Sequence, residues 1–403
     1  MWKLAARNVS RHKTRTSLTL GAIVLGVAGL ILTGGFVEDI FTQLREATIH
    51  SQLGHLQLYQ AGYYTSGRRA PYRYMIQDSQ KKIAVFREFP HVLDVMPRVN
   101  FSGLLGNGRT SFPIVGEGVD PAKEARLSNY IVIKEGRQLA PKDAYGIMLG
   151  SGVATALNLR PGENISLLLN TPDGALNTLD FQVIGIFQTF SKEYDDRAVR
   201  IPLSTAAELL STTAVHSLVF ALDSWAVTDE VATLVRRQLP PEHFEIKTWY
   251  ELSDFYQKTV ELYRRHFAVL RLIILGMVLL SVANSINMNI YERTGELGTL
   301  MAMGDRTGRI FNLLLAESLF LGLAGAVIGV VVGTLAALTI STIGIPMPPM
   351  PNTDIEYNAQ IKLVPLEMGF AFLIGVGASI LAALWPAWRV SRLPIVDALA
   401  RNH

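Results

Sequence analysis

Four stretches of this chain, Leu18 to Phe36, Leu272 to Tyr291, Ser318 to Thr353 and Met368 to Trp388, carry no charged side chain and are dominated by apolar residues. Crossing a hydrocarbon core takes roughly 20 helical residues, because each backbone amide must find its partner within the segment. Every run meets that length. The sequence therefore predicts a membrane protein with four transmembrane α-helices. Between the first and second lies a mixed-polarity block, about 37–265, long enough to bury a core of its own.

Cysteine is absent, which removes a disulfide framework and any thiolate metal site. The first run is longer than a signal-peptide core and lacks a clean small-x-small cleavage site, so it reads as an uncleaved signal anchor. Lys3, Arg7, Arg11, Lys13 and Arg15 precede it, and Glu38 and Asp39 follow it. Under the positive-inside rule both termini and the 292–309 connection are cytoplasmic, while the 37–265 block and the 345–367 connection lie outside. Asp354, Glu356 and Glu367 against Lys362 agree with this, as do Arg389, Arg392 and Arg401 against Asp397. Lys258, Arg264, Arg265 and Arg271 fall on the outer side and run against the rule, whose hold weakens after a long translocated domain.

Both ends of the outer block read as helices continuing from the membrane. Phe36, Ile40, Leu44 and Thr48 recur every four residues with Phe41 alongside, and Leu252, Phe255, Tyr256, Val260, Tyr263 and Phe267 do the same before the second run. Such spacing marks one helical face. The two faces can pack together as a stalk, or cover a domain floor separately. Between them, HLQLYQ, YIVIKEG, NISLLLN and FQVIGIF read as strands set apart by Gly, Pro and Asn turns. The segments 76–90 and 229–240 read as amphipathic helices, each beside a strand. The expected fold is a large α+β outer domain on four transmembrane helices.

The expected boundaries follow from these signals. A leading helix covers 1–16 and the first span 17–37. The outer domain is 38–265, with stalk helices at about 38–51 and 249–265, one subdomain at about 52–119 and 216–248, and a β-rich insertion at about 120–215. The second span is 266–291, a cytoplasmic helix and loop 292–308, and the third span 309–342. An outer loop at 343–366, a fourth span at 367–389 and a cytoplasmic tail at 390–403 complete the chain.

Chemistry-bearing motifs are few. There is no Gly-Lys dipeptide and hence no Walker A loop, no HExxH zinc pair and no GxSxG elbow. His50 and His55 lie at an expected helix-to-strand junction and read as partly exposed polar histidines rather than a metal site. Glu317 and Asn284 (with Asn287 nearby) are the polar residues of the spans. Burying a carboxylate at mid-membrane costs on the order of 2.5–3.5 kcal/mol, so Glu317 is expected to face protein. Gly325, Gly329 and Gly333 form a GxxxGxxxG face suited to close helix approach.

The stretch ERTGELGTLMAMG, 292–304, sits between the second and third runs. It reads as a short helix with Leu297, Leu300 and Met301 on one side, Glu292 and Glu296 near its N-terminal end, and Gly304 as its breaker. It closely resembles the coupling segment of the FtsX-like permeases, the MacB / LolC–LolE superfamily of ABC transporters. LAARNVSRHKTRTSLTLGAIVLG, 4–26, resembles that family's basic leading helix and first span, and PAWRVSRLPIVDALA, 386–400, resembles its closing tail. With one span, a large outer domain and three further spans, the resemblance covers the whole chain. Met301 stands where the family often carries Lys or Arg.

The resemblance implies a dimer of permease subunits, identical or sister, on a dimer of separate ABC ATPases that hold ATP and Mg. This chain would itself bind no cofactor and no metal, and catalyse nothing. Glu292, Arg293, Glu296, Leu297, Leu300, Met301 and Gly304 would couple it to the ATPase. Motion would pass to outer subdomains like the family's porter and sabre, a mode called mechanotransmission. In layout the chain is most similar to the lipoprotein-release permeases, with PRV…G at 97–103 and VGEGVDP at 115–121. A substrate cavity is expected where the first two spans leave the membrane, near Phe36, Val37, Ile40, Phe41, Phe267 and Leu270. A lipoprotein, lipid or other amphiphile would be its cargo, a periplasmic carrier or adaptor and membrane lipids its further partners, and nucleic acid none. Its expected place is the bacterial inner membrane. The alternatives are efflux with an adaptor and outer-membrane channel, or an FtsX-like scaffold controlling a cell-wall hydrolase.

Overall fold

The computed structural model describes residues 13–67, 70–127, 130–292, 294–348 and 357–392. Most of the leading helix, Arg293, the acidic residues Asp354 and Glu356 and the tail beyond Arg392 lie outside the described residues. The chain divides into two compact units, one of Met1–Phe41, Val260–Met347 and Asn358–His403, the other of Thr42–Thr259 and Pro348–Tyr357.

Four helices long and apolar enough to cross a membrane supply the first unit. They are Lys13–Thr48, which runs on past the unit boundary, Asp254–Glu292, Thr307–Ile343 and Pro365–Ser391. Gly344 ends the third in a left-handed conformation (φ 73°), its N–H closing on the Ile340 carbonyl. Pro365 opens the fourth at a position where its missing N–H costs nothing.

Packing follows the small residues. A Cβ at Gly325 would stand 2.9 Å from Ile23, one at Gly329 2.8 Å from Val27, and one at Gly333 3.1 Å from Ala28. The glycine face of the third helix is thus the seat of the first helix within the same chain. Gly375 brings the fourth helix against Val27, and Gly322 lets Ser379 approach the third. Gly26 gives Val278 of the second helix the same close approach. At one end of the unit the Asp39 carboxylate accepts the Gln360 N–H at 2.9 Å, and Arg271 pairs with Glu367 at 2.7 Å.

The second unit is built on a mixed sheet. Its strands are β1 Leu56–Gln60, β2 Val92–Gly106, β3 Ser111–Val119, β4 Val132–Gly136, β5 Gly146–Gly150, β6 Asn164–Asn170, β7 Leu176–Gln188, β8 Ala198–Pro202, β9 Ser217–Leu222 and β10 Phe244–Thr248. They run in the order β10-β1-β9-β2-β3-β8-β5-β7-β4, with β6 bridging β2 and β7. The pairs β3–β8 and β5–β7 are parallel and the rest antiparallel. Helices Ser79–Phe86 and Thr228–Gln238 bury Ile83 and Phe86, and Val231, Ala232 and Val235, in one core with Leu58, Val95 and Phe220.

Two expectations change here. Strand β2 is fifteen residues long and serves three partners: Val92–Arg98 pairs with β9, Val99–Gly106 pairs with β3, and Gly103–Gly106 pairs with β6 on its other side. The change of sheet therefore falls inside β2, near 98/99. Strand β3, read with the 52–119 segment, pairs with β2 on one side and with β8 of the 120–215 segment on the other. The second stalk helix is also not continuous from 249. Trp249–Leu252 is a separate turn closed by a capping box between Thr248 and Glu251. Ser253 then accepts the Tyr256 N–H on its hydroxyl and starts the long helix afresh.

Candidate functional site

The connection between the second and third span helices is a nine-residue helix, Thr294–Ala302. Thr294 donates its hydroxyl to the Tyr291 carbonyl at 2.9 Å, tying the turn to the end of the preceding helix. The far end is a full Schellman stop. Gly304, at φ 99°, donates to Met301 O, and Asp305 donates to Leu300 O. Arg309 then pairs with Asp305 at 2.8 Å on the first turn of the third helix.

Burial divides this helix into two faces. Leu297 (1% exposed) and Met301 (7%) are locked in the core of the span helices with Ile286, Ile310 and Leu314, and Leu300 is half-buried against that core. Glu296 and Thr299 are exposed, as are Glu292 before the helix and Met303 (72% exposed) and Gly304 after it. Glu296, Thr299 and Met303 stand at i, i+3 and i+7 and share one side. The expectation that Leu297 and Met301 present themselves to a partner is corrected: an amphipathic helix satisfies its apolar stripe on the nearest dry surface, here its own bundle. The exposed side instead carries Thr299 and Met303, which the reading of the sequence passed over although their spacing from Glu296 was visible.

The expected cavity residues separate similarly. Val37, Ile40 and Phe41 are buried, Phe36 and Phe267 half-buried, and only Leu270 is exposed. Phe267 stacks on Tyr263 with ring centroids 6.1 Å apart, and the Arg264 guanidinium lies over the Phe41 ring at 5.9 Å. A groove of about 290 Å³ opens further along the same two helices, lined by Leu25, Gly26, Gly29, Ile274, Met277 and Val278 among others. The small residues Ala22, Gly26 and Gly29 on the first helix leave it open where bulkier side chains would narrow the seam. Glu317 is buried at 6% exposure, facing protein as its cost in lipid demands, while Asn284 and Asn287 are exposed. Among the described residues no cluster of three His, Asp or Glu could hold a metal ion.

Residues 16–238 match the MacB-like periplasmic core domain, and residues 267–395 the FtsX-like permease C-terminal region. The chain is 24% identical to an ABC transporter permease of Methanocaldococcus jannaschii, over 98% of its own length and 96% of that protein's. It is 22% identical to the lipoprotein-releasing system transmembrane protein LolC of Xylella fastidiosa, over 94% of this chain and 91% of LolC. With the macrolide export ATP-binding/permease protein MacB of Marinobacter nauticus the identity is 25% over 99% of this chain, which spans 60% of that MacB.

Proposed function

This chain belongs to the family of ABC transporter permeases that join a MacB-like periplasmic core domain to an FtsX-like C-terminal region, and from that premise we propose that it works by mechanotransmission. A separate cytoplasmic ATPase binds and hydrolyses ATP. Its closure is received by Thr294–Ala302 and passed along the span helices to the outer domain. The movement extracts or exports a lipoprotein, lipid or other amphiphile on the outer side.

The observation that carries this reading is the two-faced connecting helix. Its apolar face is fixed in the bundle, so a push on its exposed face is delivered to the span helices rather than absorbed by a loose loop. That exposed face carries Glu296, Thr299 and Met303 and lacks the Lys and Arg of a helix that lies on lipid. The surface suits a protein groove. The apolar groove beside Gly26 and Gly29 supports an amphiphilic cargo over a polar one. The helical stripes at Ile40, Leu44 and Thr48 and at Tyr256 and Val260 serve, on this reading, as the paired stalk.

Co-purification tests the docking. Glu296→Lys and Met303→Asp should each lose the ATPase while expression and size-exclusion behaviour match the parent. Reversing or inserting a charge in a docked, partly desolvated contact costs on the order of 2–5 kcal/mol, against well under 1 kcal/mol on a solvated face. Full ATPase retention by both variants contradicts the assignment.

A further inference from the structure

A helix end leaves carbonyls without intrahelical partners, and they carry its partial negative charge. The first long helix continues from Thr48 into a π-helical turn, Ile49–Leu53, closed by Gly54 at φ 65°. Two carbonyls of that turn are taken by arginines from different strands. Arg200 on β8 donates from Nη2 to Ser51 O at 2.9 Å, and Arg98 on β2 donates from Nη1 to Gln52 O.

Neither arginine stops there. Arg98 donates from Nη2 to Glu124 Oε1 at 2.5 Å, and Arg200 donates from Nε to Glu117 Oε2 on β3 at 3.1 Å. Both arginines are 3% exposed. Gln52 also donates from its side chain to Thr189 Oγ1 at 3.3 Å, just past β7, and the buried Asp195 carboxylate accepts from both Thr189 N and Oγ1 at 2.8 Å. One residue beyond the turn, His55 N–H donates to Phe220 O on β9. Arg98 itself is the last residue of β2 to pair with β9 before the strand passes to β3.

Stability is a poor account of this cluster. Buried ion pairs repay little of their desolvation, and apolar residues of similar volume often serve as well or better. What a guanidinium supplies and a methionine does not is a rigid fork that fixes two acceptors at set angles.

We propose that Arg98 and Arg200 are positioning residues that weld the outer end of the first long helix to both halves of the outer-domain sheet, so that the helix moves the two halves as one. The inference rests on the mechanotransmission reading above. Lysine at either position would keep the charge but offer a single point instead of the fork. The joint would then become a hinge, and movement of the helix would be lost before reaching the sheet.

The test uses the full chain in complex with its ATPase in lipid nanodiscs. The sequence has no cysteine, so Asp173→Cys and Leu280→Cys, both exposed, give one pair of spin labels per chain. The distance is measured with and without a non-hydrolysable ATP analogue, in the parent and with Arg200→Lys or Arg98→Lys added. The parent distance should shift with nucleotide. Each variant should keep the ATPase bound and turning over but show less than half of that shift. Arg98→Lys, which loses the fork between Gln52 O and Glu124 at the other arm of the joint, decides the matter if Arg200→Lys does not assemble. A parent that shifts with variants that shift equally overturns the weld alone. A parent without a nucleotide-dependent shift overturns the motion reading and the weld with it.

Discussion

His55 and His216 lie in the outer domain almost without exposure, and burial pushes both down to about 4, helped at His55 by the neighbouring His50. Each uses Nδ1 as an acceptor, from Leu222 N–H and Asn100 N–H respectively, which requires the neutral ring. Their folded pKa lies below the unfolded value of 6.5, so the unfolded chain takes up protons first as pH falls. Stability from these groups is whole above about 6.5 and is lost between about 6.5 and 4. Asp195 works the other way. Burial pushes its carboxyl up to about 6, so between about 6 and its unfolded 3.8 the native state holds the extra proton and gains. Two histidines outweigh one carboxyl, and the outer domain should melt at lower temperature at pH 5 than at pH 7.5. His216→Gln, which keeps an acceptor without a titrating ring, should flatten that dependence. An unchanged pH profile in the variant would remove His216 from this account.

Among the elements, the third span helix shows most directly how spacing becomes packing. Gly329→Leu would drive a side chain into Val27 and should lower stability by about 1–3 kcal/mol, the usual cost of overpacking. Gly276→Leu, where a Cβ meets nothing within 4 Å, should be nearly neutral. Thermal size-exclusion profiles of the detergent-solubilised variants would show the contrast, and equal losses would contradict the assigned seat. This face was legible from its four-residue spacing, as were the span helices from their apolar length and β6 from the β-rich run NISLLLN between turn residues. Strand β2 was only half legible. Pro97, Gly103 and Gly106 interrupt its pattern, and Gly103 is required because a Cβ there would stand 2.5 Å from the Leu168 carbonyl of β6. That close approach is a property of a distant strand, not of the local sequence. The connecting helix was legible as a helix, yet its facing was not. Leu297 and Met301 form an apolar stripe that fits a partner's groove or the chain's own bundle equally well, and only tertiary packing decides. Of the buried Arg98–Arg200 cluster only the segments PRV…G and VGEGVDP stood out in the sequence, and not the contacts, since its members come from elements far apart in the chain.

The chain carries two units, and the helices Lys13–Thr48 and Asp254–Glu292 each contribute residues to both. Continuous helices transmit displacement along their axes better than loops, so on the proposed mechanism they carry the motion and the Thr294–Ala302 helix receives it. That assignment requires the connecting helix and the outer domain to lie on opposite sides of the membrane, with the former covered by the ATPase. Single cysteines at Asn170, in β6, and at Thr299, on the exposed face of the connecting helix, test both requirements together with an impermeant maleimide. Asn170→Cys should label in spheroplasts and not in sealed inside-out vesicles. Thr299→Cys should label only in inside-out vesicles, and its rate should fall severalfold when the ATPase is bound. Labelling of Thr299→Cys from the outside, or at an unchanged rate with the ATPase present, would contradict the claim that this helix receives the ATPase.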